Sequence, residues 1–133
     1  MLGRCEAGGL AADTRTVRKI NLKFDGGAMK IYISGPITGT EDYMERFRAA
    51  EEKLAAEGHM VYNPAALNDM MPEGTTYEEY MQTSFCLLDM AEAIYMMDGW
   101  EKSKGALREM HYACAKEKSV FFERVWKGDG KYV

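Results

Sequence analysis

The chain has 133 residues, 47% of them apolar, and a formal net charge of -4. That length suits one domain with a sizeable core. The acidic balance offers no basic patch for nucleic-acid phosphates, and the sequence has no run of about 18 apolar residues that could span a membrane.

The N-terminus lacks the apolar core of a signal peptide. Cys5, Cys86 and Cys114 are widely spaced and form neither a metal-type pair nor an even disulfide set. Cys86 and Cys114 fall in helical patterns and read as small buried apolar residues. The expected setting is reducing and cytoplasmic. Residues 1–28 mix Gly, Ala, Thr and charges without sustained periodicity, and are expected to form a poorly ordered extension. The folded domain is then expected over residues 29–133. Met29 is a candidate natural start, because Asp25-Gly26-Gly27-Ala28 fits a translated ribosome-binding site.

Lys30 to Ser34 predicts a first strand, with apolar Ile31, Tyr32 and Ile33. It runs into Gly35-Pro36-Ile37-Thr38-Gly39-Thr40. Such a loop can bring backbone N–H groups to an anion or a sugar, and it is equally compatible with a plain strand-to-helix turn. A helix is predicted from Asp42 to Glu57, with Met44, Phe47, Ala50 and Leu54 as its apolar stripe and Gly58 ending it. His59 to Tyr62 predicts the second strand, ending at Asn63-Pro64, with His59 structural or exposed. Ala65 to Thr75 reads as a loop whose Met70, Met71 and Pro72 suit a flap or a subunit contact. Thr76 and Glu79 make a capping box for a helix from Tyr77 to about Ala91. Its inward face would be Tyr80, Met81, Ser84, Leu87, Leu88 and Ala91.

The apolar run Ala93 to Met97 suits a strand buried on both faces, and Asp98-Gly99 ends it with turn chemistry. Ser103 is placed to cap a helix from Lys104 to Lys116. Gly105, Ala106, Glu109, Tyr112 and Ala113 lie three or four residues apart and share a face. Two small residues one turn ahead of a carboxylate leave room for a ligand beside Glu109. The same spacing also fits a solvated surface charge. Ser119 to Phe122 predicts a fourth strand, and Glu123 to Val133 a polar-aromatic tail.

Strands alternating with helices imply an α/β protein: a flavodoxin-like, three-layer fold around a four-stranded parallel sheet in the order 2-1-3-4. In that order Ser34-Gly35-Pro36, Asp98 and the Ser103–Glu109 helix start converge at the switch point, where open sheets place ligands.

The sequence contains no dinucleotide fingerprint, P-loop, zinc-type cluster or nucleophile elbow. A carboxylate among glycine, serine, threonine and tyrosine remains, an inventory that suits attack on an anomeric carbon. The run Ile31-Tyr32-Ile33-Ser34-Gly35-Pro36-Ile37-Thr38-Gly39, then Tyr62-Asn63-Pro64, then Ala93 to Ala106 with Gly99-Trp100-Glu101-Lys102-Ser103-Lys104-Gly105-Ala106, Glu109 and Ala113, resembles a family of small bacterial and phage proteins catalogued as a domain of unknown function. More loosely, through the Gly-Pro loop and the Gly105–Glu109–Ala113 spacing, it is similar to the nucleoside 2-deoxyribosyltransferases.

That resemblance implies Glu109 as the nucleophile that attacks C1′ of a deoxynucleoside or deoxynucleotide, with Asp98 as a second catalytic candidate. It implies Tyr32, Ser34, Gly35 and Pro36 lining the sugar and base pocket, with Gly105 and Ala106 as the small residues beside the sugar. Asn63, Trp100 and Ser103 complete the candidate binding set. Tyr32, Tyr112 and Ser34 are the expected donors to Glu109. No metal or cofactor is expected. Related transferases complete their site with a neighbouring subunit, so a homo-oligomer is expected too. Two departures stand out. Where the transferases carry an Asp on the helix before the third strand, this chain offers Gln82, Ser84 or Asp89. Where they carry an acid before the nucleophile helix, it has Ser103, with Asp98 and Glu101 near. A nucleotide- or phosphosugar-binding protein without turnover, and an oligomeric interaction module, are the alternatives.

Overall fold

Four short runs rich in β-branched and aromatic residues become the strands of a computed structural model, which describes residues 27–124. β1 covers Lys30–Ser34, β2 Met60–Tyr62, β3 Ala93–Met96 and β4 Ser119–Phe122. All pair in parallel, in the order β2-β1-β3-β4 that the alternation predicts. The expected N-terminal extension up to Gly26, and the tail beyond Arg124, lie outside the described residues.

The helices are α1 (Tyr43–Ala56), α2 (Pro64–Asn68), α3 (Tyr77–Met90) and α4 (Lys104–Ala115). Side chains alternate across a pleated strand, so each strand feeds two layers. Ile31, Ile33, Tyr95 and Phe121 pack with Phe47, Ala50 and Leu54 of α1 on one face. Tyr32, Ile94, Met96 and Val120 pack on the other with Leu88 of α3 and with Ala106, Met110 and Ala113 of α4.

Local signals account for the helix starts. The Thr76 hydroxyl accepts from the Glu79 N–H at 3.1 Å, and the Glu79 carboxylate accepts from the Thr76 N–H at 2.9 Å. This is the predicted capping box. Met81, Ser84, Leu88 and Ala91 are buried as the inward face requires, whereas Tyr80 and Leu87 are half-buried. His59 is buried, and its Nδ1 accepts from the Met29 N–H at 3.1 Å.

Two expectations are corrected. The segment Ala65–Thr75, expected as loop throughout, begins inside α2. Asn63 Oδ1 accepts from the Ala65 and Ala66 N–H groups at 3.0 and 3.2 Å, and Pro64 takes the first helical position, where no N–H is needed. Cys114 is buried but Cys86 is exposed. Cys86 follows buried Ser84 by two residues, about 200° around the helix, and so points outward.

The loops after β1 and β3 meet at the switch point. The Met97 N–H donates to the Ser34 carbonyl at 2.7 Å. A Cβ at Gly35 would lie 2.9 Å from Met97 Cβ, and one at Gly99, where φ is +91°, would lie 3.4 Å from Pro36 Cγ. Glycine at position 35 is therefore a packing requirement of the sheet end. Gly35→Ala is expected to destabilise the fold by about 1–3 kcal/mol, the usual cost of overpacking, in urea denaturation.

Candidate functional site

Helix α4 starts where Ser103 Oγ accepts from the Ala106 N–H at 3.1 Å. It is seated on the sheet by Ala106, Met110 and Ala113, all buried. Glu109 lies between them in sequence, on the second turn, and is turned toward the sheet with only 8% of its surface exposed. Tyr32 and Ser34 are two residues apart on β1 and so face the same side. Tyr32 Oη donates to Glu109 Oε2 at 2.7 Å, and Ser34 Oγ donates to Oε1 at 2.6 Å. These lengths belong to hydrogen bonds strengthened by an anionic acceptor. Ser84 of α3, also buried, closes the cluster, its hydroxyl interacting with both Tyr32 and Glu109.

Burial pushes the Glu109 carboxyl above the ordinary carboxylate range; the bonds from Ser34, Tyr32 and Ser84 and the charge of Arg108 oppose the rise without cancelling it. Burial, and next the facing Glu109 charge, push the Tyr32 phenol well above its usual value. Tyr32 therefore stays a proton donor to Glu109 across the physiological range.

The other sequence candidates are distributed around this cluster. Gly35 and Pro36 follow Ser34 directly at the carboxyl end of β1. Ala106 is buried one turn ahead of Glu109, and Ser103 caps the helix. Gly105 faces α3: a Cβ there would lie 3.7 Å from both Met81 Sδ and Tyr77 Oη, so these two side chains bound the space beside it. Asp98 follows β3, but its carboxylate meets Arg124 at 3.0 Å. Its backbone is held too, the N–H donating to Glu123 Oε1 at 2.7 Å and the carbonyl accepting from Arg46 Nη2 at 2.8 Å. Trp100 opens a three-residue 3-10 turn, and its ring lies against Phe122 with centroids 5.6 Å apart. The Asn63 side chain caps α2 and donates to Glu51 at 3.0 Å.

The structure thus gathers Tyr32, Ser34, Ser84 and Glu109, and engages Asp98, Asn63 and Trp100 elsewhere. Tyr112, expected as a donor to Glu109, instead donates to Asp89 Oδ1 at 2.8 Å and stacks on Phe85 with centroids 4.4 Å apart. Three residues past Glu109 is about 300° around the helix, enough to turn its ring toward α3. Of the three positions offered for a base-handling acid, Gln82 and Asp89 are exposed and Ser84 is inside the cluster. The hold of Arg46, Glu123 and Arg124 on Asp98 joins residues far apart in sequence and leaves no local pattern.

Among the described residues, no group of three or more His, Cys, Asp or Glu is placed to hold a metal ion. No helix among them is long and apolar enough to cross a membrane.

Fold and site together define a flavodoxin-like α/β protein with a buried carboxylate under hydroxyls at its switch point. The chain belongs to the family described as Domain of unknown function (DUF4406), which matches residues 29–122. No curated protein matches the chain.

The raised value of Glu109 has a stability consequence. An acid whose pKa rises on folding binds more protons folded than unfolded, so its contribution is fully present below the ordinary carboxylate range and is lost as pH climbs through the raised value. The neutral variant Glu109→Gln is therefore expected to be at least as stable as the parent near neutral pH in urea denaturation. The difference should shrink as pH falls toward about 4.

Proposed function

We propose that the protein cleaves or exchanges the N-glycosidic bond of a deoxynucleoside or deoxynucleotide, with Glu109 as nucleophile. The observation that supports this is a carboxylate bonded by Tyr32 and Ser34 at the carboxyl ends of β1 and β3, where open α/β sheets bind their ligands. A Glu109 oxygen would attack C1′, the bond to the base would break, and water or a second base would then take the sugar. The two hydroxyls fix the carboxylate for that attack, and its withdrawal from water leaves it less solvated than a surface glutamate. The loop from Gly35 and the small Ala106 would lie along the sugar, with Gly105 at the start of α4 and Trp100, on the turn before it, further out.

A second reading, nucleotide binding without turnover, is favoured by the positions offered for a base-handling acid: Gln82 and Asp89 are exposed, and the one inside the cluster is the hydroxyl of Ser84. One assay separates the two. A panel of neutral and ring-alkylated deoxynucleosides and their monophosphates is incubated with purified protein, and free base is followed. Base release is expected, and Glu109→Gln should retain ligand-dependent thermal stabilisation while losing on the order of 10⁴-fold in turnover. Unimpaired release by the Gln variant would remove Glu109 from the mechanism, and stabilisation without release by the parent would establish binding alone.

The same proposal includes a closed homo-oligomer that completes the site. Its interface would use Met70, Met71 and the Tyr77 end of α3, with Met70 and Tyr77 being 79% and 43% exposed. Light scattering at micromolar concentration is expected to give a dimer or larger; a monomer would remove this part.

A further inference from the structure

Breaking a C1′–N bond leaves an electron pair on the base nitrogen. A neutral purine or pyrimidine then departs as an anion unless an acid protonates it, whereas a ring that already carries a positive charge departs neutral. The surroundings of Glu109 bear on which of these is possible.

The groups bonded to its carboxylate are hydroxyls: Tyr32 at 2.7 Å and Ser34 at 2.6 Å, with Ser84 beside them. Serine hydroxyls are very weak acids, and the Tyr32 phenol is held further from acidity than a free tyrosine. Among the described residues, the carboxyl groups that follow β3 and β4 and that of Asp89 on α3 are engaged by other partners. Asp98 meets Arg124 at 3.0 Å, Glu123 takes the Asp98 N–H at 2.7 Å, and Asp89 takes the Tyr112 hydroxyl at 2.8 Å. Glu101 is exposed on the turn before α4. The charge balance points the same way. The cation whose charge reaches Glu109, Arg108, is itself bonded to Glu78 at 3.0 and 3.3 Å. A buried carboxylate with neutral donors is electrostatically open to a cationic partner.

We propose that the substrate is a nucleoside or nucleotide whose base already carries a positive ring charge, so that it leaves without being protonated. This rests on the N-glycosidic function above and names its leaving group. A lone pair on a Glu109 oxygen forms the bond to C1′. The C1′–N pair passes to the ring nitrogen and cancels its positive charge, and the base leaves neutral with no proton moved. Water then attacks C1′, the C1′–O pair returns to Glu109, and the water proton passes to solvent.

The matched pair N7-methyldeoxyguanosine and deoxyguanosine tests this, because the sugar and the ring system are shared and only the ring charge and one methyl group differ. Base release by the full chain is measured for both, with spontaneous release subtracted. The methylated substrate is expected to have a kcat/KM higher by on the order of 10²–10⁴, the range that general acid catalysis would otherwise supply. Its turnover should be lost in Glu109→Gln. A ratio below about a hundredfold would overturn the leaving-group proposal while leaving N-glycoside cleavage standing. Release from neither substrate would overturn the leaving-group proposal, release from no member of the deoxynucleoside and monophosphate panel would overturn the N-glycosidic function with it, and methylated-substrate turnover that survives in Glu109→Gln would overturn the proposed step.

Discussion

A strand covered on both faces cannot hide two successive polar residues on one side unless an acceptor is buried with them, and β1 is such a strand. Ile31 and Ile33 go to the layer built on α1, and Tyr32 and Ser34 go to the layer built on α3 and α4. β1 lies between β2 and β3, and a register shift that exchanged the two sets would turn Ile31 and Ile33 toward Glu109 and bury both polar groups among the α1 side chains. The two hydroxyls are therefore fixed in the apolar layer, and each needs an acceptor there. Glu109 supplies one oxygen to each. Ala106 and Ala113, one turn before and one turn after it, are small enough to let the helix come down onto the strand.

The resulting cluster has an asymmetry. Hydroxyls can direct a hydrogen toward a carboxylate, but they add no opposite charge, so the bonds satisfy Glu109 geometrically while burial still penalises its ionised form. A fold built for stability alone would place a neutral acceptor, such as an amide, at that position. Retaining an acid there is the kind of local cost that functional positions carry.

Much of this was legible because it is local. The Ser103 cap, the Thr76–Glu79 box and the apolar runs each declare an element within a few residues, and the alternation of elements then restricts the strand order. Tyr32 and Ser34 could be placed with Glu109 because the pleat and the order 2-1-3-4 leave few other arrangements. Asn63-Pro64 carried the signal for α2, a capping residue followed by a proline at the first helical position, and read as the mere end of a strand. Residue type alone reads Cys86 as buried, although its spacing from Ser84 puts it on the outer face; Tyr112 failed for a different reason. Spacing says which residues share a helix face, but the direction of a side chain at the margin of that face depends on its neighbours, here Asp89 and Phe85 for Tyr112. Contacts such as Arg46 with the Asp98 carbonyl exist only after α1 and the end of β3 have been brought together.

The sheet order also sets a sequence of events for a growing chain. β1 is the first strand in sequence but an inner strand in space. It can pair with β2 once Tyr62 has been made, yet its other edge has no partner until Ala93 follows. The Lys30 N–H finds the Glu92 carboxylate 62 residues downstream, and the Tyr32 hydroxyl finds Glu109 77 residues downstream. Closure over such distances is slow, and meanwhile an apolar strand with an open edge invites pairing with other chains. The groups around Glu109 are thus enclosed late, and a chain interrupted before α4 would hold Tyr32 and Ser34 with no carboxylate to meet them.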